Sequence, residues 1–139
     1  MMTSVSNKTF NVSGYILILK LERRTRLKVG ALGELELKPG YYLYVGSAKK
    51  GIARICRHFR KNKKLRWHID YLSLAAEPVL AYLFQEEECD IARELAKSFE
   101  GIPHFGSSDC KCKTHLFYSE EFPSFEGAVL KREDCQHKL

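Results

Sequence analysis

The run Tyr15-Ile-Leu-Ile-Leu-Lys-Leu21 is apolar on both faces until Lys20. Side chains alternate across a strand, so such a run needs cover on both sides and belongs at the centre of a sheet. At 139 residues the chain is long enough for one domain and too short for two ordinary ones. A domain of this size buries roughly 68–70% of the surface its unfolded chain exposes, so it needs no disulfide scaffold. With 45% hydrophobic and 29% charged residues, disorder and low-complexity arrays are excluded.

Shorter strands are expected at Leu27–Val29 and Glu34–Leu37, around Gly30 and Gly33. After the Pro39-Gly40 turn comes Tyr41-Tyr-Leu-Tyr-Val45, so an antiparallel meander fits the first third. Ile52, Ile55, Cys56 and Phe59 then recur at helical spacing. Trp67, Ile69, Leu72 and Ala76 suggest a shorter second helix, Val79–Phe84 a buried strand, and 87–99 a further helix stopped by Gly101 and Pro103. A polar loop from His104 leads to a strand at His115–Tyr118. The expectation is a single α+β domain over 1–139, with its core at about 12–118 and a frayed tail at 131–139.

No apolar run reaches the roughly 18–20 residues of a membrane helix, and the first eight residues lack the apolar stretch of a signal peptide. Five cysteines without a secretion signal imply reduced thiols, with Cys56 a packing residue of the core. An intracellular location is expected, cytoplasmic or nucleoid-associated, with no membrane contact.

The net charge of +6 conceals its layout: residues 1–66 hold 16 basic and 3 acidic side chains, residues 67–139 hold 7 and 14. Lys49, Lys50, Arg54, Arg57, Arg60, Lys61, Lys63, Lys64 and Arg66 lie within 18 residues that contain no carboxylate. Solvated helix faces normally mix signs, because like charges three or four apart repel. This stripe therefore points to a polyanion, and nucleic-acid phosphates are the expected partner. The stripe alone does not distinguish DNA from RNA.

Arg54 and His58, four apart, project from one side of their helix. On a wheel of 87–99, Ile91, Ala92, Leu95 and Phe99 form the buried stripe, and Glu88 falls near its centre. Glu88 either complements the helix dipole from the first turn or meets a cation, for which magnesium is the suited divalent ion. Tyr42 and Tyr44 share one strand face, and converging tyrosine hydroxyls can orient or deprotonate a water. Cys110, Cys112 and His115 raise a zinc reading, with Cys135 or His104 as a fourth ligand. Their spacing is short and lacks a matching second pair, so structural zinc is not expected.

The segment Tyr42-Leu-Tyr-Val-Gly-Ser through Arg54 and His58 to Arg60 resembles the second motif and following helix of the GIY-YIG nuclease superfamily. Ser13-Gly-Tyr-Ile16 resembles the first motif, with Ser13 at the family glycine's place when Tyr15 takes that of the tyrosine. Trp67-His-Ile-Asp-Tyr71 and Phe105 to Tyr118 are similar to a branch found alone or attached to DNA-repair glycosylases. The resemblance spans about 12–118 and implies a three-stranded antiparallel core sheet flanked by helices, with an added hairpin between the motifs. It also implies a magnesium- or manganese-dependent endonuclease, acting on DNA in repair or structure processing. Tyr15 and Tyr44 would line the cleft, one of them activating water. Arg54 would stabilise the phosphorane-like charge, His58 would contact phosphate or assist proton transfer, and Glu88 would hold the metal; His68 is an extra cleft candidate. A DNA-repair protein or a second copy would be a further partner. The competing readings are a non-catalytic nucleic-acid-binding module of the same fold and, third, a structural zinc protein.

Overall fold

A computed structural model describes residues 11–106 and 111–138, with side chains through Cys135. In chain order come β1 (Gly14–Leu21), β2 (Thr25–Val29), β3 (Gly33–Leu37), β4 (Gly40–Ser47), α1 (Ala53–Cys56) and α2 (His68–Ala75). There follow β5 (Glu77–Phe84), α3 (Glu88–Leu95), β6 (Glu100–Gly101), β7 (Leu116–Ser119) and β8 (Ala128–Leu130). The architecture is α+β, as expected. Six strands form one sheet in the order β6-β7-β4-β1-β5-β8, with every neighbouring pair antiparallel. The expected three-stranded sheet is thus the centre, β4-β1-β5, of a wider one.

The apolar run takes the central place that its pattern demands. Tyr15, Leu17, Leu19 and Leu21 pack with Ile55, Phe59 and Leu72 below α1 and α2. Ile16 and Ile18 face the other way, against Ile91, Ala92 and Leu95 of α3. Burying each aliphatic side chain contributes about 1.5–3 kcal/mol, so both helical layers are needed to keep β1 dry.

The first third is not a continuous meander. β1 pairs with β4, while β2 and β3 pair only with each other as a separate hairpin. That hairpin alternates half-buried and exposed residues, with Arg26 opposite Glu36 and Lys28 opposite Glu34. Such a ribbon has a single apolar face and no need of a sheet interior. Gly30, at a φ of 44°, turns the chain there, and a methyl on it would meet the Tyr71 ring of α2. The third helix is also shorter than its periodicity suggested: it ends at Leu95, and Gly101 lies in β6 rather than in a helix stop.

The tail is not frayed. After β8 pairs with β5, a 3-10 segment (Arg132–Lys138) returns to α1, where Cys135 forms a disulfide with Cys56. Arg132 donates to the Phe59 carbonyl at 2.5 Å and to Glu77 at 3.0 Å. The expectation of reduced thiols therefore fails at this pair: distance in sequence hides that both sulfurs enter the same core. Because the bond closes a separation of 79 residues, its loss is expected to cost about 2–4 kcal/mol. Thermal melts with and without reductant should differ by roughly 10 °C. Equal midpoints would show that the bond leaves stability unchanged.

Candidate functional site

A cleft of about 210 Å³ lies where the starts of β1, α2 and α3 meet the end of β4 and the helix after it. Its walls are Tyr15, Tyr44, Ser47, Arg54, His58, Arg66, Trp67, His68, Glu88, Gly106 and His115. All six residues expected to carry chemistry (Tyr15, Tyr44, Arg54, His58, His68 and Glu88) are among them.

Two glycines make this convergence sterically feasible. Gly46 faces Tyr15 across the β1–β4 pair, and a methyl there would collide with the phenol ring. Gly14 lies under the first turn of α3, where a methyl would strike the Ile91 side chain and the Glu86 carbonyl. Gly14 therefore lets α3 approach β1 closely enough to bring Glu88 to the cleft. The glycine beside Tyr15 has its own packing duty, whatever stands at Ser13.

Tyr15 and His58 are both buried, with Tyr15 Oη 2.6 Å from His58 Nε2. The Tyr44 ring stands edge-on to His58, with centroids 5.8 Å apart. Burial, then the nearby Tyr44, pushes the Tyr15 phenol well above its ordinary value. Burial and then Glu88 push Tyr44 up as well. Neither phenol is a ready base by itself. His58 moves the other way: burial, then Lys63, lowers it to about 3. It is neutral at pH 7, and one ring nitrogen can accept the Tyr15 proton. The other, Nδ1, is buried and has no hydrogen-bond partner among the described residues.

The His58 shift has a measurable consequence for stability. Its folded value lies below the unfolded one, so the unfolded chain binds more protons between about 3 and 6.5. The contribution is complete above the unfolded value and is lost as pH falls toward the folded one. Urea unfolding should weaken by up to about 1.4 kcal/mol per pH unit between pH 6 and 4. His58→Gln should flatten that slope, and an unchanged slope would refute the assignment.

Asp70, which the sequence left without a role, organises the rim. Fully buried on α2, it accepts from Arg57 Nη2 at 2.8 Å and from the backbone N–H groups of Arg66 and Trp67 at 2.8 and 3.0 Å. Despite its burial, these donors hold its carboxyl below the usual range. The arrangement presents Trp67, 38% exposed, with the Arg54 and Arg57 guanidinium groups 4.7 and 4.9 Å from its ring centroid. A cation over an aromatic face is attracted by the ring quadrupole, so Arg54 is propped toward the cleft. The sequence clue was a carboxylate three residues past a helix start, where it can accept from the first backbone N–H groups.

The basic stripe divides into two roles. Lys63 donates to Ser73 Oγ at 2.5 Å and to the His58 carbonyl at 3.2 Å, and Arg57 is held by Asp70. These two act inside the fold rather than as surface cations. Burial lowers Lys63 to about 8. Lys49 pairs with Glu87 and Lys61 with Glu77, while Lys50, Arg60, Lys64 and Arg66 are exposed. Arg57, Arg60, Asn62, Lys63, Lys64 and Arg66 line a second groove, and Arg66 borders both it and the cleft. The stripe runs through a loop, since α1 spans only four residues before a 3-10 turn.

Glu88 is half-exposed and is the acidic member of the cleft wall among the described residues. It opens α3, so both readings of it meet here: it stands in the first turn and it faces the cleft. Its Oε2 lies 3.5 Å from Nδ1 of the buried His115. His68 Nδ1 accepts the Gly106 N–H at 2.9 Å, which leaves its proton on Nε2. Of the zinc candidates, Cys110 lies outside the described residues, while Cys112 and His115 meet Cys89 of α3. Gly106 and Cys89 were missed, because their roles arise only when a distant loop packs on α3.

No helix among the described residues is long and apolar enough to cross a membrane. No curated protein and no solved structure matches the chain. A family described as Domain of unknown function DUF123 matches it over residues 14–134. That match runs from the first residue of the central strand into the C-terminal 3-10 segment, and so the chain belongs to the DUF123 family.

Proposed function

We propose that this protein is a divalent-metal-dependent phosphodiesterase acting on DNA, of the GIY-YIG type. The observation that carries this reading is the convergence in one cleft of Tyr15, Tyr44, Arg54, His58, His68 and Glu88. A polyanion path leads into it, because Arg66 joins the cleft to the groove of Arg60 and Lys64. Trp67 at the mouth is partly exposed, and its ring holds the Arg54 and Arg57 guanidinium groups beside the cleft.

Glu88 suits magnesium or manganese: a single carboxylate at a partly exposed position leaves coordination places for water and a substrate phosphate. Such an ion supplies Lewis-acid stabilisation of the departing oxygen. The chain's own groups do the rest. Arg54, propped on Trp67, offsets the charge that develops on the phosphoryl oxygens. A water beside Tyr15 gives its proton to the phenol oxygen as the Tyr15 proton passes to His58 Nε2 along the 2.6 Å contact. A phosphate in the cleft favours the resulting imidazolium and offsets the burial that otherwise keeps His58 neutral.

The test is direct. Labelled branched, nicked and single-stranded DNA are incubated with the full chain, with and without magnesium or manganese. Cleavage that depends on the metal is the expected result. Tight binding with no cleavage of any substrate under either metal would overturn the nuclease in favour of a nucleic-acid-binding module.

A further inference from the structure

Behind the cleft wall, three metal-ligating side chains from separate parts of the chain come together. Cys89 lies in the first turn of α3, and Cys112 and His115 lie on the segment that leads into β7. Their ligand atoms all lie within 4.8 Å of one another. Tetrahedral zinc, with bonds of about 2.3 Å to sulfur and 2.0–2.1 Å to nitrogen, sets its ligand atoms roughly 3.5 Å apart. Closing that difference takes rotamer adjustments on the order of 1 Å rather than a backbone rearrangement.

We infer that Cys89, Cys112 and His115 form a zinc site that clamps the segment between β6 and β7 onto α3. The donor set selects the metal class. Two thiolates and an imidazole suit a borderline-soft ion such as zinc, whereas the lone carboxylate of Glu88 suits a hard one. Binding displaces one proton from each thiol, and Cys89, Cys112 and His115 supply three ligands from the described residues.

Among the described residues of the segment between β6 and β7, no strand or helix is formed. Backbone bonds close its stem: His104 N–H to the Lys113 carbonyl at 2.9 Å and His115 N–H to the Phe105 carbonyl at 2.8 Å. The same segment supplies Gly106 and His115 to the cleft. An ion shared by Cys89, Cys112 and His115 ties that wall to the helix carrying Glu88, and so sets the width of the cleft from outside it. The clamp does not depend on the nuclease reading, since it is measured without DNA.

The experiment uses the full chain reduced with a phosphine and loaded with zinc or cobalt(II), then desalted. One metal ion per chain is expected, with a thiolate-to-cobalt charge-transfer band and the visible absorption of tetrahedral cobalt. Cys89→Ser and Cys112→Ser should each weaken zinc binding roughly 100-fold or more and diminish that band. A Cys56→Ser/Cys135→Ser variant should retain both, showing that the reduced disulfide is not the ligand source. Circular dichroism checks folding, and His115→Asn replaces any cysteine variant that fails it. Failure of the reduced chain to hold stoichiometric metal would overturn the site, as would equal retention by the folded ligand variants.

Discussion

Arg54→Ala is expected to lower metal-dependent DNA cleavage by roughly 100- to 1,000-fold while DNA affinity changes only a few-fold. Removing a preorganised donor from a charge that develops in the transition state typically costs about 2.7–4 kcal/mol of activation free energy. Arg54 fits that description because its guanidinium is already held, 4.7 Å from the Trp67 ring centroid. Affinity should survive, since on the proposed reading phosphate attraction is shared with the exposed Lys50, Arg60, Lys64 and Arg66. Arg54→Lys should rescue little: an ammonium lacks the planar fork that spans two phosphoryl oxygens and stacks on indole. Single-turnover rates beside titrations at one salt concentration separate the two quantities. A variant that cleaves at the wild-type rate would remove Arg54 from the chemistry.

Asp70→Ala should be the most destabilising single change at the rim, costing about 3–5 kcal/mol. The carboxylate is fully buried and accepts, through Oδ2, from Arg57 Nη2 and two backbone N–H groups. Its removal strands the Arg57 charge, four-fifths buried, without its partner. For a domain of this length the melting temperature should fall by roughly 10–15 °C. Asp70→Asn keeps an acceptor and should fall less, which separates loss of charge from loss of hydrogen bonding. Because the folded carboxyl is held down, the contribution is present above the unfolded value and lost as pH falls through the folded one. Equal melting temperatures at pH 7 for wild type and Asp70→Ala would sink the argument.

The two changes are linked through Trp67. Asp70 fixes the backbone at Arg66 and Trp67, and Trp67 supports Arg54. A folded Asp70→Asn protein should therefore lose part of its cleavage rate although Asp70 does not line the cleft. In that sense Asp70 is a positioning residue. The acid-sensitive His58 lies one step further in, against Tyr15, and reports on the same wall from below.

Arg54 and His58 reach one cleft although α1 gives way to a 3-10 turn between them, whereas local pattern alone made the central strand and the inward aim of Glu88 legible. Each follows from a period of 2 or 3.6 residues, which a side chain obeys wherever its element packs. The basic stripe was legible as charge, but not in its division of labour. Lys63 and Arg57 look like their exposed neighbours until Ser73 and Asp70 pack beneath them. Likewise, nothing local about Cys56 and Cys135 reveals that the tail returns to α1.

What the sequence by itself determined is the set of faces: a strand apolar on both sides, a helix with a carboxylate at its inner edge, and a run of cations without counter-charges. What only the tertiary structure decided is which faces meet. β1 pairs with β4 across a hairpin that folds aside, Gly14 and Gly46 make room for α3 and Tyr15, and a long loop brings His115 to Glu88 and the cysteines. The reason is physical. Periodicity follows from the geometry of a single backbone, whereas contacts between distant segments depend on which pairings together exclude water and satisfy every buried polar group.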